Sequence, residues 1–284
     1  MAIRNEELGI RNEKTSPKSL VPSPLKIAAS DFDGTLFRGE KFSSEDLAAI
    51  KNWQASGNLF GLVTGRCYPM LIPHLREADL KIDFAICDNG AVIFDDAEKI
   101  IFETEIPKEI LLTLFNEPFL KKSLHFLFEA ADEVFCVNVK ENSWVVKERP
   151  RWEFFLTTID AAQIKTLPKK INQFALGFES SEEAQEAADF LNKNFGDVIF
   201  AQKNTRSLDI VTAGTNKARG VENLLQVCNL DGKVFVIGDE SNDLPMIKKF
   251  GGYTVSTAKD FVKREAAEVF DSVGAMLKNF LDKN

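Results

Sequence analysis

Histidine and cysteine are scarce. The 284 residues include only His74 and His125, with Cys67, Cys87, Cys136 and Cys228. These make neither a Cys-x-x-Cys pair nor a cluster with metal-ligand spacing, which argues against a zinc ribbon or a disulfide scaffold and predicts reduced, buried thiols. No apolar stretch is long enough to span a bilayer, and the N-terminus lacks the apolar core of a signal peptide, so the expected location is cytoplasmic. A basic surplus is missing too. With a net charge of −8, the chain has no excess of cations to neutralise a phosphate backbone or an anionic membrane, so neither nucleic acid nor membrane is an expected partner. A small charged ligand is compatible with that balance, and no obligate protein partner is inferred.

The chain has ample material for a core, being 44% hydrophobic and 10% aromatic. Residues 1–24 carry two heptad-spaced echoes, Ile3-Arg4-Asn5-Glu6 and Ile10-Arg11-Asn12-Glu13, then Pro17, Pro22 and Pro24. Two copies fall short of a coiled coil, and this segment is expected to be a disordered tail. Next, Lys26-Ile27-Ala28-Ala29-Ser30 is a short apolar run that breaks into Asp31-Phe32-Asp33-Gly34-Thr35. Such a run reads as a buried parallel strand, with two carboxylates where open α/β sheets bind ligands. Adjacent acids repel, and a cation with a phosphorylated substrate is the simplest offset.

Ser43 is a candidate helix N-cap, with Leu47, Ile50 and Trp53 on one face and Gly57 as the stop; Leu59 to Val63 is then a second strand ending in Thr64-Gly65-Arg66. A strand–helix–strand unit brings both strand ends to one sheet edge, making Asp31 and Thr64 neighbours. From about Asp88 to Arg206 the pattern changes to short strands near Ala91, Phe126, Val134 and Phe174, with helices near Pro107 and after Ser180. This reads as an inserted α+β module with its own Phe-rich core. The core pattern is expected to resume with a strand at Ser207 to Val211, a helix from Asn216 to Cys228, and a buried strand Lys233 to Ile237 leading into Gly238-Asp239-Glu240-Ser241-Asn242-Asp243.

Taken as an ordered set, these motifs resemble the haloacid dehalogenase superfamily. Asp31-Phe32-Asp33-Gly34-Thr35, Thr64, Lys217 and Gly238-Asp239-x-x-Asn242-Asp243 match its four motifs, and Asn89-Gly90-Ala91 resembles the cap entrance of the Cof-type, subclass IIB sugar-phosphatase branch. The resemblance implies an α/β fold with a doubly wound, mostly parallel sheet (a Rossmann-like core, residues 25–87 and 207–284) and an inserted α+β cap (88–206). It implies a Mg²⁺-dependent phosphomonoester hydrolase acting on a small phosphorylated metabolite, a sugar phosphate above all, through an aspartyl-phosphate. Asp31 is then nucleophile and metal ligand. Asp33 is the acid–base and offers its backbone carbonyl to the metal. Asp239 is a ligand and Asp243 a support behind it, while Thr64, Gly65, Lys217 and Asn242 bind the phosphoryl group.

The residue types suit this chemistry. A phosphate dianion repels an anionic nucleophile, Mg²⁺ favours hard oxygen ligands, and a second carboxyl two residues from the first can move protons. The family usually places Gly directly after the lysine, whereas this chain reads Lys217-Ala218-Arg219-Gly220, leaving Arg219 as an alternative. Arg66 reads as a solvated or ion-pairing residue. The basic–aromatic run from Lys147 through Arg149 and Arg151 to Trp152 reads as a solvated loop or a substrate contact. A phosphomutase of the same fold and a catalytically silent binding protein are the rival readings.

Overall fold

The computed structural model describes residues 24–137 and 139–281; the expected tail, up to residue 23, lies outside them. The apolar run Lys26–Ser30 forms β1, buried at all five positions. A small hairpin, β2 (Phe37–Arg38) and β3 (Lys41–Phe42), leads into α1 (Ser44–Ala55), where the Ser43 hydroxyl accepts the Glu45 N–H and caps the first turn. Then come β4 (Leu59–Val63), α2 (Tyr68–Glu77), β5 (Phe84–Cys87), β6 (Val92–Asp95) and β7 (Ile100–Glu103).

The second lobe begins with α3 (Lys108–Leu114) and α4 (Pro118–Lys122), followed by β8 (His125–Glu129), β9 (Val134–Val137), α5 (Trp144–Trp152) and β10 (Leu156–Thr158). It continues with β11 (Gln173–Gly177), α6 (Ser181–Phe195), β12 (Ile199–Asn204) and β13 (Ser207–Thr212). The chain returns to the first lobe with α7 (Lys217–Val227), β14 (Lys233–Gly238), α8 (Leu244–Phe250), β15 (Tyr253–Val255), α9 (Asp260–Glu265), β16 (Val269–Phe270) and α10 (Val273–Leu281).

The large sheet runs β16-β15-β14-β1-β4-β5-β6-β7, parallel from β16 to β5 and antiparallel across β6 and β7. Strand β1 sits between β4 and β14, at the point where connections leave to either side, so the ends of β14, β1, β4 and β5 form one edge. Its side chains alternate between two cores. Ala28 packs with Trp53 and Phe235 on one face, and Ile27 and Ala29 with Val221 and Leu224 on the other.

The second sheet, β10-β9-β8-β11-β13-β12, is antiparallel apart from the β9–β10 pair. One face buries Phe126, Phe128, Phe174 and Leu176 beneath α6. The opposite face brings Leu127, Cys136 and Ala175 against Cys67 and Met70 of the first lobe. The inserted sheet therefore lies over the strand ends.

The lobe boundaries differ from those expected. Strands β6 and β7 extend the first sheet, because the reversal after Gly90 hydrogen-bonds β6 beside β5, so the insertion begins near Thr104 rather than Asp88. Strand β13, expected in the core, pairs instead with β11 and β12, moving the other boundary from 206/207 to about Thr212. Cys228 is exposed, whereas Cys67, Cys87 and Cys136 are buried as expected; all four are free thiols. The basic–aromatic run lies on helix α5 and not on a loop; the side chains of Glu148, Arg149 and Trp152 lie outside the described ones.

Phe174 is fully buried against Phe126, 4.2 Å between ring centroids, and against Phe128 at 5.1 Å. Phe174→Ala should cost about 3–5 kcal/mol through the cavity it leaves, read as a lower denaturation midpoint. A loss below about 1 kcal/mol would contradict this packing.

Candidate active site

Four parallel strands end side by side, and each delivers a polar group. Asp31 follows β1, Thr64 follows β4, Asp88 follows β5 and Asp239 follows β14. The register is continued past the strands, where the Asp31 N–H donates to the Ile237 carbonyl (2.8 Å) and the Thr64 N–H to the Ile86 carbonyl (2.8 Å).

Lys217 lies at the first turn of α7 and is only 1% exposed. Its ammonium donates to Asp31 Oδ1 at 2.6 Å and to Asp243 Oδ1 at 2.5 Å. Helix α7 can come this close because it packs directly on the turn at Gly90: a Cβ on Gly220 would sit 2.8 Å from Gly90 Cα, and one on Gly90 would sit 2.4 Å from the Asn216 carbonyl. Asn216 caps the helix by accepting the Arg219 N–H. Arg219 itself points away to Glu222 and is mostly exposed, so Lys217 occupies the cluster and the alternative drops out.

Asp243 is also held by backbone. Its Oδ2 accepts the N–H groups of Asp239 and Glu240, each at 2.9 Å. Asp239 Oδ1 accepts the Thr35 hydroxyl at 2.6 Å, a role for Thr35 that the sequence alone did not single out. Oxygens of Asp31, Asp239 and Asp243 come within 4.8 Å of one another.

Burial and the charge of Asp243 push the Asp31 carboxyl well above its ordinary range, with Lys217 opposing the shift. Asp239 is raised by burial and by Asp243, against its bond from Thr35. Burial works against the Lys217 ammonium, but Asp243 and Asp31 outweigh it and hold it charged. Three carboxylates thus share a single internal ammonium, and when all are ionised the pocket carries two uncompensated negative charges. An all-oxygen donor set with this surplus fits a hard divalent cation. Space is preserved for one, because Gly34 has φ +83° and a Cβ there would lie 2.4 Å from Asp239 Oδ2.

Asp33 lies at the mouth, about half exposed, and Arg66 grips it with a two-pronged fork, Nε to Oδ2 at 2.7 Å and Nη2 to Oδ1 at 2.8 Å. Arg66 also lies over the Phe32 ring and contacts His74 Nε2 at 3.1 Å. Burial and the Arg66 and Arg151 charges push His74 down to about 4, so it stands neutral beside the guanidinium. Thr64 is buried, and its hydroxyl oxygen accepts the Arg66 N–H (3.1 Å), which leaves the hydroxyl hydrogen for an acceptor. Asn242 donates to Asn89 Oδ1 at 3.1 Å.

The structure therefore brings together Asp31, Lys217, Asp239 and Asp243, with Asp33, Thr64, Gly65 and Asn242 around them. In the sequence Arg66 reads only as a solvated or ion-pairing residue, and nothing there marks Gln173 or Asp209, which reach this region from the other lobe. Only the Thr-Gly-Arg order hinted at Arg66.

Removing Lys217 should strand two buried carboxylates. Lys217→Met is expected to lose about 3–5 kcal/mol of stability at neutral pH. With the ammonium gone, nothing opposes the burial that already raises the Asp31 carboxyl, so its folded-state pKa lies further above the unfolded value. The deficit against wild type should therefore grow as pH rises and shrink as it falls towards 4, about the unfolded aspartate pKa. Denaturation midpoints of both proteins across pH 4–8 test this; a deficit independent of pH would contradict it.

A family model described as haloacid dehalogenase-like hydrolase matches residues 28–274. Among curated proteins, the chain is 23% identical over 256 residues to the Bacillus subtilis 5-amino-6-(5-phospho-D-ribitylamino)uracil phosphatase YcsE, covering 87% of this chain and 90% of that one. The Escherichia coli phosphatase YbjI, named for the same substrate, is 23% identical over 239 residues, covering 80% and 83%. Among solved structures, a HAD/COF-like hydrolase from Plasmodium vivax has a TM-score of 0.77 at 20% identity, covering 93% of this chain and 98% of that chain. The subclass IIB sugar phosphatase BT4131 has a TM-score of 0.72 at 22% identity, covering 90% and 98%. With its motifs gathered at one sheet edge and the family model spanning both lobes, the chain belongs to the haloacid dehalogenase-like hydrolases.

Proposed function

We propose that this HAD-type phosphatase hydrolyses a small phosphorylated metabolite, a sugar or polyol phosphate, by phosphoryl transfer to Asp31. One observation carries the reading: buried Lys217 bridges Asp31 and Asp243 at the end of β1, beside Asp239. Held by Asp31, Asp239 and the Asp33 carbonyl, with Asp243 in support behind them, Mg²⁺ would supply the positive charge that lets a dianionic phosphate approach a carboxylate.

Lys217 engages one oxygen of Asp31 and so fixes the direction of the other for in-line attack on phosphorus. As the new P–O bond forms, the ester P–O bond breaks and Asp33 gives its proton to the departing oxygen. Water then attacks the aspartyl-phosphate, Asp33 takes a proton from it, and the Asp31 carboxylate is released with inorganic phosphate. The Arg66 fork sets the plane of the Asp33 carboxyl while each oxygen keeps a further lone pair for ester or water. Thr64, the Gly65 N–H, Asn242 and Lys217 supply hydrogen bonds and charge for the transferring oxygens.

The phosphatase names of relatives favour water over a sugar hydroxyl as the final acceptor. A ribityl phosphate, the polyol ester in the names of YcsE and YbjI, falls within the proposed substrate class. An inserted sheet over the strand ends suits a compact substrate better than a phosphoprotein or nucleic acid.

Wild type should release phosphate from members of a panel of phosphorylated metabolites with Mg²⁺, and stop when the metal is chelated. Asp31→Asn should lower turnover by at least ~10³-fold with the thermal midpoint preserved. A wild type inactive across the panel, or an equally active Asp31→Asn variant, would refute the proposal.

A further inference from the structure

A directional chain of side-chain amides crosses the seam between the lobes. Asn242 Nδ2 donates to Asn89 Oδ1 (3.1 Å), and Asn89 Nδ2 donates to Gln173 Oε1 (2.8 Å) and to Asp209 Oδ2 (3.2 Å). Gln173 Nε2 in turn donates to the Gly65 carbonyl and to Glu129 Oε2, both at 2.7 Å. Turning the Gln173 amide over would set donor against donor at Asn89 and acceptor against acceptor at Gly65 and Glu129, so one orientation satisfies the chain. Gln173, on β11, is 1% exposed.

From this geometry we infer that Gln173 is a positioning residue for the phosphate-binding turn Thr64–Arg66, so that this turn is completed only when the inserted lobe is seated. The inference rests on the phosphatase reading for its catalytic consequence but not for its structural one. Adhesion between the lobes does not need an amide at this place, since Leu127 and Ala175 already close the same seam with Cys67 and Met70. Burying an amide is costly unless every polar atom is met. Here the acceptor on the far side is the backbone of the turn that would receive the phosphoryl group, and Asn89 links the same amide to Asn242.

The surroundings fix the amide from behind. Glu129 lies opposite Gln173 in the β8–β11 register, and Asp209 lies on the neighbouring strand. Asp88 in turn lies close to Glu129, and among the described residues neither Asp88 oxygen has a hydrogen-bond partner. Burial raises both, Glu129 to about 7 and Asp88 well above its ordinary value. Asn89 itself is buried with φ +54°, a left-handed conformation that Asn tolerates better than most side chains.

Gln173→Met keeps the length and removes both donors. Amide hydrogen exchange across residues 64–67 should be at least about tenfold faster in Gln173→Met than in wild type, and unchanged in Leu127→Met, a seam variant outside the amide chain. With p-nitrophenyl phosphate and Mg²⁺, kcat should fall roughly 10–100-fold while KM stays within about threefold, because a misplaced turn costs more in the transition state than in the ground state. Gln173→Asn, which keeps the amide but withdraws it by one methylene, should give the same signature in milder form and serves if the Met variant folds poorly. Unchanged exchange in a folded Gln173 variant, or equal acceleration in Leu127→Met, overturns the inference whatever the activity. A wild type that hydrolyses no phosphomonoester refutes the phosphatase reading while leaving the exchange result to decide this one.

Discussion

The buried contact of one ammonium with two carboxylates is the constraint on which the rest depends. Lys217 is enclosed with Asp31 and Asp243, and neither sign of charge could be placed there alone without a desolvation cost of several kcal/mol. The three residues are brought together by three different devices. Asp31 ends the central strand, Asp243 is pinned by two backbone N–H groups after β14, and Lys217 rides on a helix pressed onto Gly90 through Gly220. Removing the lysine leaves two carboxylates buried without their cation, which ties the fold's stability to the integrity of the site.

The same arrangement leaves the pocket short of positive charge. One lysine faces Asp31, Asp243 and Asp239, and the remaining surplus suits a divalent cation, which on the proposed mechanism would in turn draw a phosphate. Arg66 stands apart from this balance. Its fork holds Asp33 at the half-exposed mouth, so the two acids of the first motif differ in burial and in partner.

Much of this was legible in the sequence, and the failures have physical causes. Asp31, Thr64, Lys217 and Asp239 follow strand ends or begin a helix, and such local breaks in hydrophobic pattern can be read without knowing which strands pair. Pairing itself could not be read. Nothing local distinguishes β6, which folds back beside β5, or β13, which joins β11, from strands of the other sheet, and both lobe boundaries were misplaced for that reason. Gln173, Glu129 and Asp209 were missed because their significance lies in a face. Phe126, Phe128 and Phe174 mark one side of the second sheet as its core, which sends the intervening polar residues to the other side, but only the docked structure reveals that this side meets the Thr64–Arg66 turn. Arg66 paired with an acid 33 residues earlier, a contact with no sequence periodicity to announce it.

On the proposed mechanism Asp31, held by Lys217, is the residue that receives the phosphoryl group. The most direct test is to quench turnover in acid, reduce the protein with borohydride and map the peptides by mass, since an aspartyl-phosphate is reduced to homoserine while a free aspartate is not. Homoserine is expected at position 31 alone and only when substrate was present; an intact Asp31 with homoserine at another position would contradict that mechanism.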